Sequence, residues 1–235
     1  DKENAIFTEG ETLEYEVSWM GINAGNITMQ LFVDAKHDDK PVHKVVVVGK
    51  TNKTFSIFFK VNDVITSWFN KETFNSEHYI KDVREGSYRK FKETSYDQDN
   101  RIAHVRDQKY ELPPNSKDPI ASMYALRRYP VNTGDVIRLN SNSEGKSNFP
   151  VAIKFGELDE ISLDDDIKRK TIIGNPIPSW EGRVFEKNQS KVKMWITHDE
   201  YNVPLILETK VRIGTMKAEL IRRTGPGWEL NLKKD

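Results

Sequence analysis

The residues that could support catalysis or metal binding are few and scattered along the chain. Five histidines are present, and no two of them have the i, i+2 or i, i+4 spacing that places two ligands on one face. Neighbouring strands could still bring His43, His78 and His104 together. Two Ser-x-x-Lys matches, Ser87–Lys90 and Ser143–Lys146, lie in a strand pattern and across a glycine turn, whereas serine–lysine chemistry needs one helical face. The sequence therefore selects no catalytic residue, no metal ligand and no cofactor.

Acidic clusters occur at Asp97–Asn100 and at Asp164–Asp166. Both lack the glycine at the sixth position and the trailing glutamate of a calcium-binding loop, so we interpret them as solvated turns. Carboxylates that are distant in sequence could converge for glycoside hydrolysis, and the sequence selects no such pair.

The segment Lys81–Lys92 combines five cations with Tyr88 and Phe91. Such a segment could contact phosphates or an anionic bilayer surface. A strand hairpin with one charged, solvated face explains the same pattern, and we favour that interpretation.

Composition excludes several classes of protein. The 235 residues include 36 Lys and Arg against 36 Asp and Glu, and this balance argues against a nucleic-acid partner. No apolar stretch approaches the roughly 20 residues of a transmembrane helix. The longest apolar stretches, Val45–Val48 and Phe55–Val61, have the length of strands. There is no cysteine, which excludes disulfides, thiolate nucleophiles and cysteine-based metal sites.

The dominant hydrophobic pattern has a period of two residues, which is typical of strands. Leu13–Trp19 and Ile27–Val33 alternate in this way on either side of Gly21–Gly25 and predict a hairpin. Further strand-like runs are Val42–Lys50, Val64–Asn70, His78–Val83, Tyr88–Tyr96, Arg101–Leu112, Val136–Asn140, Phe149–Phe155, Thr171–Ile173, Val192–Thr197, Leu205–Ile213 and Met216–Arg223. We expect a mostly β fold, a single domain over residues 1–235, whose large antiparallel sheet curves into a half-barrel or open barrel.

One segment has helical spacing instead. Ile120, Met123, Tyr124 and Arg127 recur at helical intervals, Asp118 is placed to cap the first turn, and proline follows it. A helix of about three turns is marginal alone, so we expect it to dock on the concave face of the sheet. The segment Leu163–Lys191 is predicted to be a long loop with one short strand, forming a flap over one end of the sheet.

A curved sheet with one helix has difficulty filling its own concavity, and unfilled apolar space favours a ligand pocket. Aromatic residues of the strands and the apolar residues of the helix would line such a pocket, although the same residues also suit an ordinary core. The candidate ligand-binding residues are Tyr15, Trp19, Trp68, Phe69, Met123, Tyr124 and Trp195.

Three groups of residues resemble the signatures of an exported bacterial family of unknown function, the domain-of-unknown-function family three-one-zero-eight. The first group is Phe7, Gly10-Glu11, Leu13, Tyr15, Trp19, Gly21 and Ala24-Gly25. The second is Asp118, Ser122, Tyr124-Ala125-Leu126-Arg127 and Gly134-Asp135. The third is Trp195–Asp199, Pro204, Gly214 and Ala218-Glu219-Leu220. The resemblance implies an exported, periplasmic or envelope-associated domain with a large curved antiparallel sheet, and it brings no catalytic residue.

Three functions compete at this point. The first is a non-enzymatic envelope protein that binds a lipid-like, apolar or amphipathic ligand in the concavity of its sheet. The second is a protein–protein interaction or assembly module of the envelope, which would use sheet edges or the Leu163–Lys191 loop. The third is a hydrolase of cell-wall glycan or peptide. The chain opens at Asp1 rather than Met, which agrees with removal of a leader, and we expect a periplasmic or envelope location.

Overall fold

The computed structural model describes residues 6–177, 192–210 and 214–232 of the chain. Within these residues, helix α1 (Pro119–Arg127) lies between β8 and β9, and a short 3-10 turn (Phe55–Ile57) lies between β3 and β4. The strands are β1 (Thr12–Trp19), β2 (Ile22–His37), β3 (Lys40–Thr51), β4 (Asn62–Asn70), β5 (Ser76–Glu85), β6 (Tyr88–Asp97), β7 (Ile102–Val105), β8 (Gln108–Glu111), β9 (Val136–Ser143), β10 (Ser147–Ser162), β11 (Lys168–Ile177), β12 (Val192–Thr197), β13 (Pro204–Lys210), β14 (Thr215–Thr224) and β15 (Leu230–Asn231).

All these strands belong to one antiparallel sheet. Its order is β8-β7-β6-β5-β4-β3-β2-β1-β14-β13-β12-β11-β10-β9, with β15 beside β14. Strands that follow one another in sequence are therefore neighbours, except for β8 and β9, which lie at the two ends of the order, and the β1–β14 pair joins the first half of the sheet to the second. Short turns suffice to connect antiparallel neighbours, which is why turn signals separate most of the strand patterns. The predicted mostly β fold with a large curved antiparallel sheet is confirmed.

The sheet curves until its two end strands approach each other. Asn148 of β10 donates its side-chain amide to the carbonyl of Glu111 on β8 at 2.7 Å. Between the edges, Ser116 accepts a backbone hydrogen bond from Ser76 at 3.1 Å, and Lys117 donates one to Asn140 at 2.9 Å. The segment after β8 thus fills the gap between the sheet edges, and the result is barrel-like.

Alternation along the strands places one set of side chains inside the curved sheet. Leu13, Leu31, Val45, Phe69 and Leu220 all have no exposed surface on this inner face. Helix α1 packs against them through Ala121, Tyr124 and Ala125, which are also buried. The predicted docking of the helix on the concave face is confirmed, and packing on this surface stabilises a nine-residue helix that would be marginal in water.

The start of the helix agrees with its sequence signals. Asp118 is the N-cap, and its carboxylate accepts hydrogen bonds from the backbone N–H groups of Ile120 and Ala121 at 2.9 and 3.0 Å. The same carboxylate accepts the hydroxyl groups of Ser67 at 2.7 Å and Ser76 at 2.5 Å. The cap therefore also fastens the helix to β4 and β5, a role that the capping pattern did not predict.

Strand boundaries differ from the sequence prediction in three places. Arg101–Leu112 forms two strands rather than one, because the chain turns at Arg106, whose φ is +54°. The first hairpin turns at Gly21, so Gly25 lies within β2 at a register shift. The predicted loop Leu163–Lys191 contains the ten-residue strand β11. Residues 178–191 lie outside the described part of the chain, and the prediction of a flap falls mainly on them.

No helix among the described residues has the length and apolar character needed to cross a bilayer.

Candidate functional site

An open, apolar cavity lies at the end of the sheet that carries the β1–β2 turn and the β3–β4 loop. Its volume is about 540 Å³. Apolar side chains from three strands and the β3–β4 loop form its walls: Val17, Trp19, Ile27, Phe55, Phe59 and Met216. Lys50, Asp63 and Glu85 are charged residues of the lining. A cavity of this size and character is typical of small-molecule sites.

Two glycines on neighbouring strands line the cavity, and they contribute to it in different ways. Gly49 of β3 pairs with Ile27, and a Cβ added to it would have one neighbour within 4 Å, the Ile27 side chain at 4.0 Å. A Cβ on Gly25 of β2 would instead collide with the carbonyl oxygen of Lys50, because the β3 backbone approaches closely there. The missing side chain of Gly49 therefore leaves room in the cavity, whereas the missing side chain of Gly25 allows the close approach of β3.

The β3–β4 loop forms one wall of the cavity and has a defined conformation. Asn52 donates its side-chain amide to the carbonyl of Asn23 at 2.7 Å and accepts the Phe55 N–H at 2.7 Å. These bonds attach the start of the loop to β2 and begin the 3-10 turn. Phe55 then packs edge-on against Trp19, with 6.2 Å between the ring centres. From the sequence alone Phe55–Val61 has only the length and apolar character of a strand, because the bond of Asn52 to a distant strand is not visible in the local pattern.

The charged residues of the cavity lining include one cation and two carboxylates. Asp63 accepts the backbone N–H of Arg84 at 2.8 Å, which holds its carboxylate at the β4–β5 side of the cavity. Lys50 is exposed, and no ion pair joins it to another described residue. The cavity therefore offers apolar walls with a few charges, an arrangement that can hold an apolar body and orient a polar group.

Of the seven predicted ligand-binding residues, Trp19 lines this cavity. Tyr15 lies two inward-facing positions before Trp19 on β1, where it is buried and donates its hydroxyl to the Pro204 carbonyl at 2.9 Å. Phe69 and Tyr124 are fully buried in the core, with 5.9 Å between their ring centres, and Met123 packs against the same core. These four residues fill the middle of the barrel rather than its open end.

Trp68 and Trp195 lie on the outer face of the sheet. Trp68 precedes Phe69 in β4. Because Phe69 faces inward, the Trp68 side chain points outward, where it contacts the rings of His37 and His78. The Trp195 indole donates to the Asp159 carboxylate at 3.1 Å. Sequence periodicity shows that neighbours face opposite sides but not which side is inside, and this is why the two tryptophans joined the candidate set. Six residues of the cavity lining were not predicted as site residues: Gly25, Gly49, Ile27, Phe55, Phe59 and Met216. For the two glycines, the available signal was a glycine within a strand pattern.

The histidines do not converge on one site. His43 is buried on the inner face beside Phe69 and Phe74, whereas His78 lies on the outer face and contacts Glu93 and Ser95 at 3.0 Å each. Burial, followed by repulsion from Lys71 and Arg128, lowers the pKa of His43 to about 4. Among the described residues, no group of three or more His, Cys, Asp or Glu side chains could hold a metal ion.

Three lysines of the segment Lys81–Lys92 contact a single carboxylate. Lys81, Lys90 and Lys92 approach Glu144 of the β9–β10 turn, with nitrogen–oxygen distances of 3.4, 2.7 and 3.8 Å. Burial acts to raise the pKa of Glu144, but hydrogen bonds and attraction from Lys90 and Lys81 outweigh it and lower the pKa. These cations thus help to join β5 and β6 to the far edge of the sheet, rather than forming one solvated face.

A buried ion pair connects the helix to the amino-terminal segment. Arg127 donates two hydrogen bonds to Glu11, at 2.8 and 2.7 Å, and both side chains are almost completely buried. Arg223 of β14 lies 3.7 Å from the same carboxylate. Glu11, Asp118 and Arg127 belong to the signature residues given above, and in the structure they hold the helix inside the barrel. Their geometry is that of anchoring groups, away from the open cavity.

The family of proteins of unknown function DUF3108 matches residues 14–221. The chain belongs to this family. The resemblance drawn from the signature residues is thereby confirmed, and the family description names no activity. No curated protein matches the chain.

Two solved structures match the chain in a comparison of coordinates. A beta-barrel-like protein of the domain of unknown function DUF1849 from Brucella abortus has a TM-score of 0.62 at 6% sequence identity, covering 93% of this chain and 98% of that one. A DUF1089 family protein from Pseudomonas aeruginosa has a TM-score of 0.44 at 9% identity, covering 80% of this chain and 90% of its own. The first similarity supports a barrel-like architecture, and at such identity it concerns the fold alone.

Proposed function

We propose that this protein is a non-enzymatic binding protein that holds an apolar or amphipathic, lipid-like molecule in the cavity between β1, β2, β3 and the β3–β4 loop. The observation that carries the proposal is the apolar space of about 540 Å³ beside Gly49, where a missing side chain leaves room. Burial of apolar surface is the main favourable contribution to binding in such a site. We further propose a periplasmic or envelope location, where a carrier or sensor of lipid-like molecules would meet its ligand.

The lining also limits the class of ligand. Trp19, Phe55 and Phe59 present aromatic surfaces that suit a hydrocarbon chain or a flat apolar ring. Lys50, Asp63 and Glu85 supply charges of both signs, which suit a zwitterionic or uncharged polar head better than a bare anion. We expect the chain of such an amphiphile to lie inside and its head to lie among these charged groups.

Filling the cavity provides the sharpest test. In Gly49→Leu the new side chain would occupy the space beside Ile27, where the backbone has room for a Cβ. We expect the affinity for the fluorescent probe N-phenyl-1-naphthylamine to fall at least tenfold, since a leucine removes the apolar volume that the probe needs. Val48→Leu is the matched control, because it enlarges the next side chain of β3, which points to the opposite face.

A second readout identifies the natural occupant. Native mass spectrometry and organic extraction of the purified wild-type protein should release a lipid-like molecule, and the same procedure on Gly49→Leu should release much less. Equal probe affinity in both variants, together with no extracted molecule, would refute the binding function. That result would favour the alternative proposal, an interaction or assembly module of the envelope.

A further inference from the structure

Three consecutive apolar side chains project from the β3–β4 loop at the mouth of the cavity. Ile57, Phe58 and Phe59, here named the apolar tip, have 80%, 83% and 49% of their surface exposed. Met20 and Ile22 of the adjacent β1–β2 turn are also exposed, at 58% and 62%. Single exposed apolar residues are ordinary, but a contiguous group of this kind marks a surface that contacts a membrane or another molecule.

Backbone hydrogen bonds hold the apolar tip in place, although its side chains are exposed. The backbone N–H groups of Phe58 and Phe59 both donate to the Phe55 carbonyl at 3.0 Å. At the end of the loop, the Lys60 carbonyl accepts the N–H of Gly86 at 2.7 Å, which fastens the loop to the β5–β6 turn. Two of the backbone donors at the tip are therefore already satisfied, and this lowers the cost of moving it into an apolar phase.

The loop that bears the apolar tip carries only basic charges, whereas the carboxylates of Asp63 and Glu85 belong to the strands that line the cavity. The nine residues from Asn52 to Lys60 include Lys53 and Lys60 and no carboxylate. Arg89 is nearby, since its guanidinium donates to the carbonyls of Gly86 and Tyr88 in the turn that contacts Lys60. Both lysines and Arg89 are exposed. Aromatic and aliphatic side chains surrounded by cations match an anionic lipid surface, in which the rings enter the acyl boundary and the cations meet phosphates.

We propose that the apolar tip docks this end of the barrel on an anionic phospholipid bilayer, with Phe58 and Ile57 inserted at the interface and Lys53 and Lys60 against the headgroups. Phe55 and Phe59 belong both to this loop and to the cavity wall. Docking therefore places the mouth of the cavity against the membrane, where an apolar molecule could pass without crossing water. The docking itself does not depend on what the cavity holds.

Vesicle flotation tests the proposal with the full chain. Wild-type protein should float with vesicles of phosphatidylcholine and phosphatidylglycerol, and should bind vesicles of phosphatidylcholine alone more weakly. Phe58→Ser should reduce the partition coefficient about tenfold, the effect of removing one inserted aromatic side chain. Lys53→Gln combined with Lys60→Gln should reduce it roughly 25-fold on the anionic vesicles, at about fivefold for each cation, and should have little effect on the neutral ones.

Leu158→Ser is the matched control. Leu158 is 59% exposed on β10, a strand that contributes no residue to the cavity lining or the apolar tip, and its replacement should leave flotation unchanged. If wild type does not float, or floats as strongly after Phe58→Ser, the docking proposal is wrong. A change of oligomeric state in Phe58→Ser without wild-type flotation would likewise overturn it and assign the tip to contact between protein molecules. Probe binding by Phe58→Ser is measured separately, so that failure of docking can be told from failure of the cavity to bind.

Discussion

The buried His43 leads to a prediction about acid stability. Its two ring nitrogens have no hydrogen-bond partner among the described residues, and its ring lies between those of Phe7, Phe69 and Phe74. The imidazole is therefore neutral in the folded protein, since burial lowers its pKa from 6.5 to about 4. In the unfolded chain the same side chain takes up a proton near pH 6.5.

The sign of the effect follows from proton binding. Between pH 6.5 and about pH 4 the unfolded chain binds a proton at His43 that the folded chain does not, so the free energy of unfolding falls as the pH falls. Each pH unit of this interval contributes about 1.4 kcal/mol, and the whole interval contributes about 3 kcal/mol. Below about pH 4 both states are protonated, and the contribution becomes constant.

Urea unfolding of wild type and His43→Leu isolates this contribution. Other groups titrate in the same interval, but they do so in both proteins and cancel in the difference between the two free energies. As the pH is lowered from 6.5 to about 4, we expect the free energy of unfolding of wild type to fall by about 3 kcal/mol relative to that of His43→Leu. Parallel curves for His43→Leu would refute the reasoning, because they would mean that the folded protein accommodates the imidazolium.

Two further predictions concern other buried polar contacts. Arg127→Leu should lower the free energy of unfolding by about 3 kcal/mol, because Glu11 stays buried and keeps only Arg223, 3.7 Å away, as a cationic neighbour. The double variant with Glu11→Leu should recover part of the loss, and equal losses in calorimetry would contradict this. Glu144 stabilises the fold above its unfolded pKa of about 4.5, and this stabilisation is lost as the pH falls through its lower folded pKa. Glu144→Gln should abolish that part of the pH dependence in urea titrations, and an unchanged profile would contradict it.

The architecture was predictable because its signals are local. Alternating side chains, as in Leu13–Trp19, identify strands, and glycine or Asp-rich turns between them identify antiparallel neighbours. Asp118 and the following proline mark the start of the one helix for the same reason, since capping joins groups two or three residues apart. These patterns also predicted that the helix must pack on the sheet.

The cavity was only partly predictable. Trp19 was identified, but Phe55 and Phe59 were not, because their position depends on a hydrogen bond between Asn52 and Asn23 of another strand. Met216 reaches the site through the pairing of β14 with β1, which joins residues almost 200 positions apart. Trp68 was included because periodicity identifies alternate faces but does not tell which face is inside.

By itself the sequence determined the period of each element, the ends of the helix and the absence of thiol chemistry, since these depend on residue type and on neighbours a few positions away. Tertiary structure decided which tryptophan faces the open end, that Gly49 lies opposite Ile27 in the cavity, and that Glu144 contacts three lysines. The physical reason is register. A shift of one residue between strands would turn each side chain to the other face, and long-range packing of the whole barrel selects the register.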